Sequence, residues 1–109
     1  MDDIITVIKG TELKLRMEVN LGLFLLMDCD FQITAYCNVK NKLIIPKSKC
    51  IYIEGDESAC FIPIDTSTLD VGTLILDIKI DIPDDDFTNI GDGMRTEIYR
   101  KKTNIKIVV

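Results

Sequence analysis

In "TLILDIKIDI", residues 73–82, Leu74, Leu76, Ile78, Ile80 and Ile82 alternate with Ile75, Asp77, Lys79 and Asp81. A period of two places successive side chains on opposite faces of an extended chain, so the stretch reads as a strand with one buried face. At about 3.3 Å per residue it is long by ordinary standards. The same alternation recurs in "TELKLRMEV" (11–19), where Leu13, Leu15, Met17 and Val19 oppose Glu12, Lys14, Arg16 and Glu18. In "FQITAYC" (31–37), Phe31, Ile33, Ala35 and Cys37 oppose Gln32, Thr34 and Tyr36. Shorter candidates are "IITVI" (4–8), "KLIIP" (42–46), "CIYIE" (50–54), "ACFIPI" (59–64), "RTEIYR" (95–100) and "NIKIVV" (104–109).

Lys9-Gly10, Lys40-Asn41, Gly55-Asp56 and Asp92-Gly93 stand between these runs and supply residues tolerant of positive φ. Eight or nine short strands at regular intervals, with no amphipathic helix, predict an all-β chain. The arrangement expected is an immunoglobulin-like antiparallel β-sandwich of about eight strands. With 109 residues and a hydrophobic fraction of 47%, the chain is expected to form a single domain, 1–109, around one modest core. Two stretches break the alternation. "LGLFLLMDCD" (21–30) has apolar residues on both parities and reads either as a bend packed onto the sandwich or as an exposed partner patch. "DTSTLDVG" (65–72) reads as one helical turn crossing between sheets, capped by Asp65 or Thr66 and ended by Gly72.

Charge and residue types exclude several chemistries. A net charge of −5 opposes tight nucleic-acid binding, which needs clustered Lys and Arg. Arg100-Lys101-Lys102 is expected to be a short solvated turn. "LGLFLLM", the longest apolar run, is far short of the roughly 20 residues that span a bilayer. Met1 is followed by Asp2 and Asp3 where a secretory leader would carry positive charge, so the protein is expected to be made in a cytoplasm. With no histidine in the chain, a serine or cysteine nucleophile lacks its usual base and no enzyme constellation emerges. Cys29, Cys37, Cys50 and Cys60 have no Cys-x-x-Cys spacing, which argues against zinc. They read as small apolar core residues, with a disulfide left open.

"DIPDDDFTNIGDGMRTE" (81–97) gathers acidic residues around two glycines. As an EF-hand loop counted from Asp84 it fails, with Asn89 in place of the required glycine and Arg95 in place of the glutamate. A looser calcium site from Asp84, Asp85, Asp86 and Asp92 stays open. The reading preferred is a turn, in which Pro83 closes the long strand and Asp92-Gly93 starts the next. Tyr36, Tyr52 and Tyr99 are the candidates for stacking on a sugar in a carbohydrate-binding sandwich, and the chain has no tryptophan to add to them.

The order "GTELKL", "DFQITAYC", "IPKSK", "DTSTLDVGTL", "IPDDDF" and "GMRTEI" resembles a family of small proteins and modules from phages and prophages of Bacteroidales bacteria, the crAss-like phages included. The likeness runs from about residue 10 to 109, and "MDDIITVIK" lies outside it. The resemblance implies an immunoglobulin-like virion component without catalytic residues or cofactor. The form expected is an auxiliary (decoration) capsid protein on the lattice of the major capsid protein, self-associating there or touching other virion proteins. A head- or tail-fibre or baseplate adaptor is the alternative it also allows. Either would be made in the bacterial host cytoplasm and located in the virion. Candidate contact residues lie at the two ends: Ile4, Ile5, Val7 and Ile8, with residues 1–9 an arm or edge strand, and Ile107, Val108 and Val109. Ordinary edge strands would show the same pattern.

Overall fold

A computed structural model describes residues 3–88 and 91–109. It contains eight strands: β1 (Ile5–Ile8), β2 (Glu12–Glu18), β3 (Asp30–Tyr36), β4 (Lys42–Pro46), β5 (Ile51–Tyr52), β6 (Ala59–Asp65), β7 (Gly72–Pro83) and β8 (Met94–Val108). They form a five-stranded sheet in the order β1-β8-β7-β3-β4 and a three-stranded sheet in the order β2-β6-β5. The chain is all-β, and among the described residues helical structure is limited to single 3-10 turns at Leu26–Asp28, Lys47–Lys49, Thr66–Thr68 and Asp85–Phe87. The strand order is immunoglobulin-like, with β8, β7 and β3 in one sheet and β2, β6 and β5 in the other.

The alternating faces meet in one core. Across the large sheet, Ile33 of β3 stands opposite Ile45 of β4 and Ile78 of β7, and all three are buried. In the small sheet Leu15 pairs with Ile62 and Met17 with Cys60. Each fully buried Ile or Leu contributes roughly 1.5–3 kcal/mol of transfer free energy. The bend at 21–30 packs some side chains onto the sandwich and exposes others. Leu26 is fully buried, while Leu23 is 98% exposed.

Four connections cross between the sheets, and the one from β6 to β7 is built around a buried polar residue. The Asp65 side chain accepts from Ser67 N and caps the 3-10 turn. Thr66, fully buried, donates its hydroxyl to Thr11 O at 2.7 Å and accepts from Gly10 N at 2.9 Å. The crossing is thereby tied to the turn between β1 and β2. Gly72 is the first residue of β7, not the end of the helical turn, which closes at Leu69.

Several local expectations give way to different arrangements. All pairings are antiparallel except that of β1, which runs parallel to the end of β8 with Ile5 opposite Ile105 and Ile8 opposite Val108. "RTEIYR" and "NIKIVV" form one continuous strand, so Arg100-Lys101-Lys102 is exposed mid-strand, not a turn. The polar pair Thr103-Asn104 is absorbed by a bulge. Pairing shifts from Thr73–Lys106 to Ile75–Lys102, leaving β8 two residues longer than β7 across that interval. Thr103 Oγ1 donates to Leu74 O at 2.7 Å and accepts from Ile105 N at 3.1 Å, replacing ladder bonds that the bulge removes. The Lys40-Asn41 turn uses no positive φ, since every described residue with positive φ is a glycine. Instead the Asn38 side chain accepts from Lys40 N and Asn41 N.

Candidate partner-binding surfaces

The two terminal segments singled out by sequence lie side by side, because β1 covers the last part of β8. Their residues do not all face outward. Ile107 is fully buried and offers no surface, and Val7 and Val108 are half-buried. Ile4, Ile5, Ile8 and Val109 are exposed, Ile4 to 71%. The result is an apolar strip that wraps one edge of the large sheet, with Ile5 on the core-facing side beside Ile105 and Ile8 on the opposite side beside Val108. Of the proposed arm 1–9, residues 1 and 2 lie outside the described residues.

The most connected polar group sits on the outer face of the large sheet. Arg100 of β8 holds Asp77 of β7 through Nε at 2.8 Å and Nη2 at 3.1 Å, and Tyr36 of β3 donates to the same carboxylate at 3.0 Å. The Arg100 hydrogen bonds hold the Asp77 carboxyl below its ordinary range. Burial, reinforced by Asp77, raises the Tyr36 hydroxyl. Both groups are driven away from titration near neutrality, and the carboxylate is already fully engaged. The cluster is a cross-strand clamp.

The acidic stretch is also engaged locally. Asp84 accepts from Asp86 N at 3.0 Å and lies 3.2 Å from Arg95 Nε, and Asp92 accepts from Met94 N at 3.1 Å. Among the described residues no three His, Cys, Asp or Glu side chains are grouped to hold a metal ion. Residues 89 and 90 of this loop lie outside the described residues. The three tyrosines are not gathered on one face. Tyr36 is on the outer face of the large sheet, Tyr99 is opposite Ile78 on its inner face, and Tyr52 belongs to the small sheet. All four cysteines are free thiols, and burial raises those of Cys29 and Cys37, which makes them poor nucleophiles at neutral pH.

What the sequence reading missed is the open side of the sandwich. The small sheet ends at β2, whereas the large sheet continues past β7 to β8. Between the β2 edge and β8 runs a groove of about 980 Å³, floored by Leu15, Met17, Leu76, Ile78 and Ile105 and rimmed by Tyr99, Arg100 and Lys101. From Met94 to Asn104 no described strand pairs with the outer edge of β8, because β1 begins its pairing only at Ile105. A signal for this was present. Arg95, Glu97, Tyr99 and Lys101 stand opposite Ile82, Ile80, Ile78 and Leu76, and so share the core-facing side of the sheet. A strand with only polar or amphipathic residues on that side has no second sheet above it.

The strip and the groove are exposed, and the charged clusters are internally paired. A scan against protein-family models finds none that matches, and searches of curated proteins and of solved structures likewise find no significant match.

Proposed function

We propose that this chain is a structural protein of a bacteriophage virion, an auxiliary capsid protein that binds the lattice of the major capsid protein. The observation that carries the reading is the contrast between open and closed chemistry on the surface. The clustered charges Asp77, Arg100 and Asp84 have partners within the chain, whereas an exposed apolar strip and a free sheet edge have none among the described residues. Such a body is suited to adhesion through strand edges and apolar side chains. The capsid assignment itself follows the family resemblance of residues 10–109.

The test is cosedimentation of the purified chain with empty capsids, with stoichiometry measured against the major capsid protein. Lattice-matched stoichiometry is expected. Binding confined to a few copies per particle would place the chain at a vertex or tail instead, and no binding would remove the reading. Ile5→Lys and Ile8→Glu then test the strip. Both residues are exposed, so these variants keep the fold better than deleting residues 1–8, which would also remove Val7 from its place against the core. Unchanged cosedimentation of the double variant would exclude the strip as the contact.

A further inference from the structure

We propose that the open edge of β8 pairs with the same edge of a second copy, making a two-fold dimer with antiparallel β8 strands centred on Tyr99. The inference goes beyond the capsid reading and does not depend on it. Its first support is backbone geometry. Asp84 N donates to Gly93 O, so pairs of that parity exchange their hydrogen bonds between β7 and β8. Residues 95, 97, 99 and 101 therefore bond inward to β7. Thr96, Ile98, Arg100 and Lys102 turn their N–H and C=O groups to the open edge, while Met94 N–H is taken by Asp92. β8 begins at Met94 and is covered from Ile105 onward, so the uncovered stretch, Met94–Asn104, has Tyr99 at its middle. A two-fold on Tyr99 lets each copy use the full stretch without meeting the other's β1.

The second support is charge. A two-fold perpendicular to the sheet keeps faces matched only if it passes midway between a residue and its own copy, so neighbouring registers are centred one residue apart. Centred on Ile98, Arg95 would face Lys101 of the second copy, twice. Centred on Arg100, the two guanidinium groups would face each other. Centred on Tyr99, Glu97 faces Lys101 twice, Tyr99 faces Tyr99, and Ile98 faces Arg100, with no like charges opposed. Lys101 has no ion-pair partner among the described residues, and Ile98, 67% exposed, would be covered by the stem of the opposing Arg100. The Tyr99 pair would occupy a non-hydrogen-bonded site, where Cα atoms approach to about 4.5 Å and side chains meet closely. The opposing reading is that Arg100-Lys101-Lys102 keeps this edge solvated and alone, as edge lysines do in many sheets.

Sedimentation equilibrium of the full chain under reducing conditions, up to about 1 mM, decides between them. An edge-only interface belongs to the small class below about 1,200 Å², so a weak, concentration-dependent dimer is expected. Glu97→Lys or Lys101→Glu alone turns two attractive pairs into two repulsive ones and should raise Kd roughly ten- to a hundredfold. The double exchange should restore dimerisation, and this rescue separates a pairing effect from damage to the fold. A thermal melt of each variant confirms that it is folded. A wild-type chain monomeric throughout, or a dimer indifferent to both reversals, would overturn the proposal. Neither outcome bears on capsid cosedimentation, so the two readings fail separately.

Discussion

Replacing Thr66 by valine changes the only buried polar residue of the described core and leaves its shape intact. The methyl takes the place of a hydroxyl that accepts from Gly10 N at 2.9 Å and donates to Thr11 O at 2.7 Å. Thr11 O keeps a second donor, since Thr66 N reaches it at 3.2 Å. Gly10 N has no such replacement within the fold. Leaving a donor unsatisfied costs about 1–3 kcal/mol, and because Gly10 is exposed enough for water to help, about 1–2 kcal/mol is expected. For a chain of this size that lowers Tm by roughly 4–8 °C. Thr66→Ser keeps both bonds and loses one buried methyl, about 1 kcal/mol, so the melts alone overlap. Amide exchange separates the two. The Gly10 amide should exchange faster in Thr66→Val, while Thr66→Ser leaves it protected. If Thr66→Val keeps the wild-type Tm and Gly10 protection, the crossing between β6 and β7 is not held by this hydroxyl, and the reasoning fails.

Leu26→Ala should cost about 2–5 kcal/mol in urea denaturation, whereas Leu23→Ala, in the same bend but almost fully exposed, should stay within about 0.5 kcal/mol of wild type. Arg100→Ala should lower stability by less than about 1 kcal/mol, because its side chain is largely in solvent even though Asp77 is not. Asp56, Asp65, Asp70 and Asp77 are all held below the ordinary carboxylate value, so the unfolded chain binds their protons first as pH falls. Their stabilisation is complete above about pH 4 and is lost below it as the folded values are crossed. A pH series of melts should therefore be level from about pH 5 to 8, where no histidine titrates, and fall steeply in acid.

The sandwich was legible because its core strands bury one face only. Leu74 to Ile82 on alternate positions, and Leu13, Leu15 and Met17 on theirs, left no other regular structure open. The "KLIIP" strand falls at the bounds its alternation set. Where the pattern failed, a side chain had replaced a backbone role. Thr103 satisfies Leu74 O and Ile105 N from within the bulge, so Arg100-Lys101-Lys102, which read as a turn, lies within one continuous strand. The direction of β1 was not legible at all, since alternation is the same for parallel and antiparallel partners. Nor could alternation separate Ile107 from Ile8. Each lies in a short apolar run, and only the position of the second sheet decides which one is covered.

That position also explains why contact residues were sought at the chain ends and not in the middle of β8. Three strands cannot cover five, so some of the larger sheet must face water on its inner side as well as its outer one. The chain places this mismatch under Arg95, Glu97, Tyr99 and Lys101, whose charged and amphipathic ends can reach solvent at little cost. Side-chain solvation does nothing for the backbone of an edge. The N–H and C=O groups of Thr96, Ile98, Arg100 and Lys102 keep their pairing capacity however polar the residues that carry them. An edge can therefore be soluble and still adhesive, with the charges selecting which partner strand and which register it accepts. In the dimer proposed for this chain, the residues that look like a solvated charge run are the ones that would choose the register.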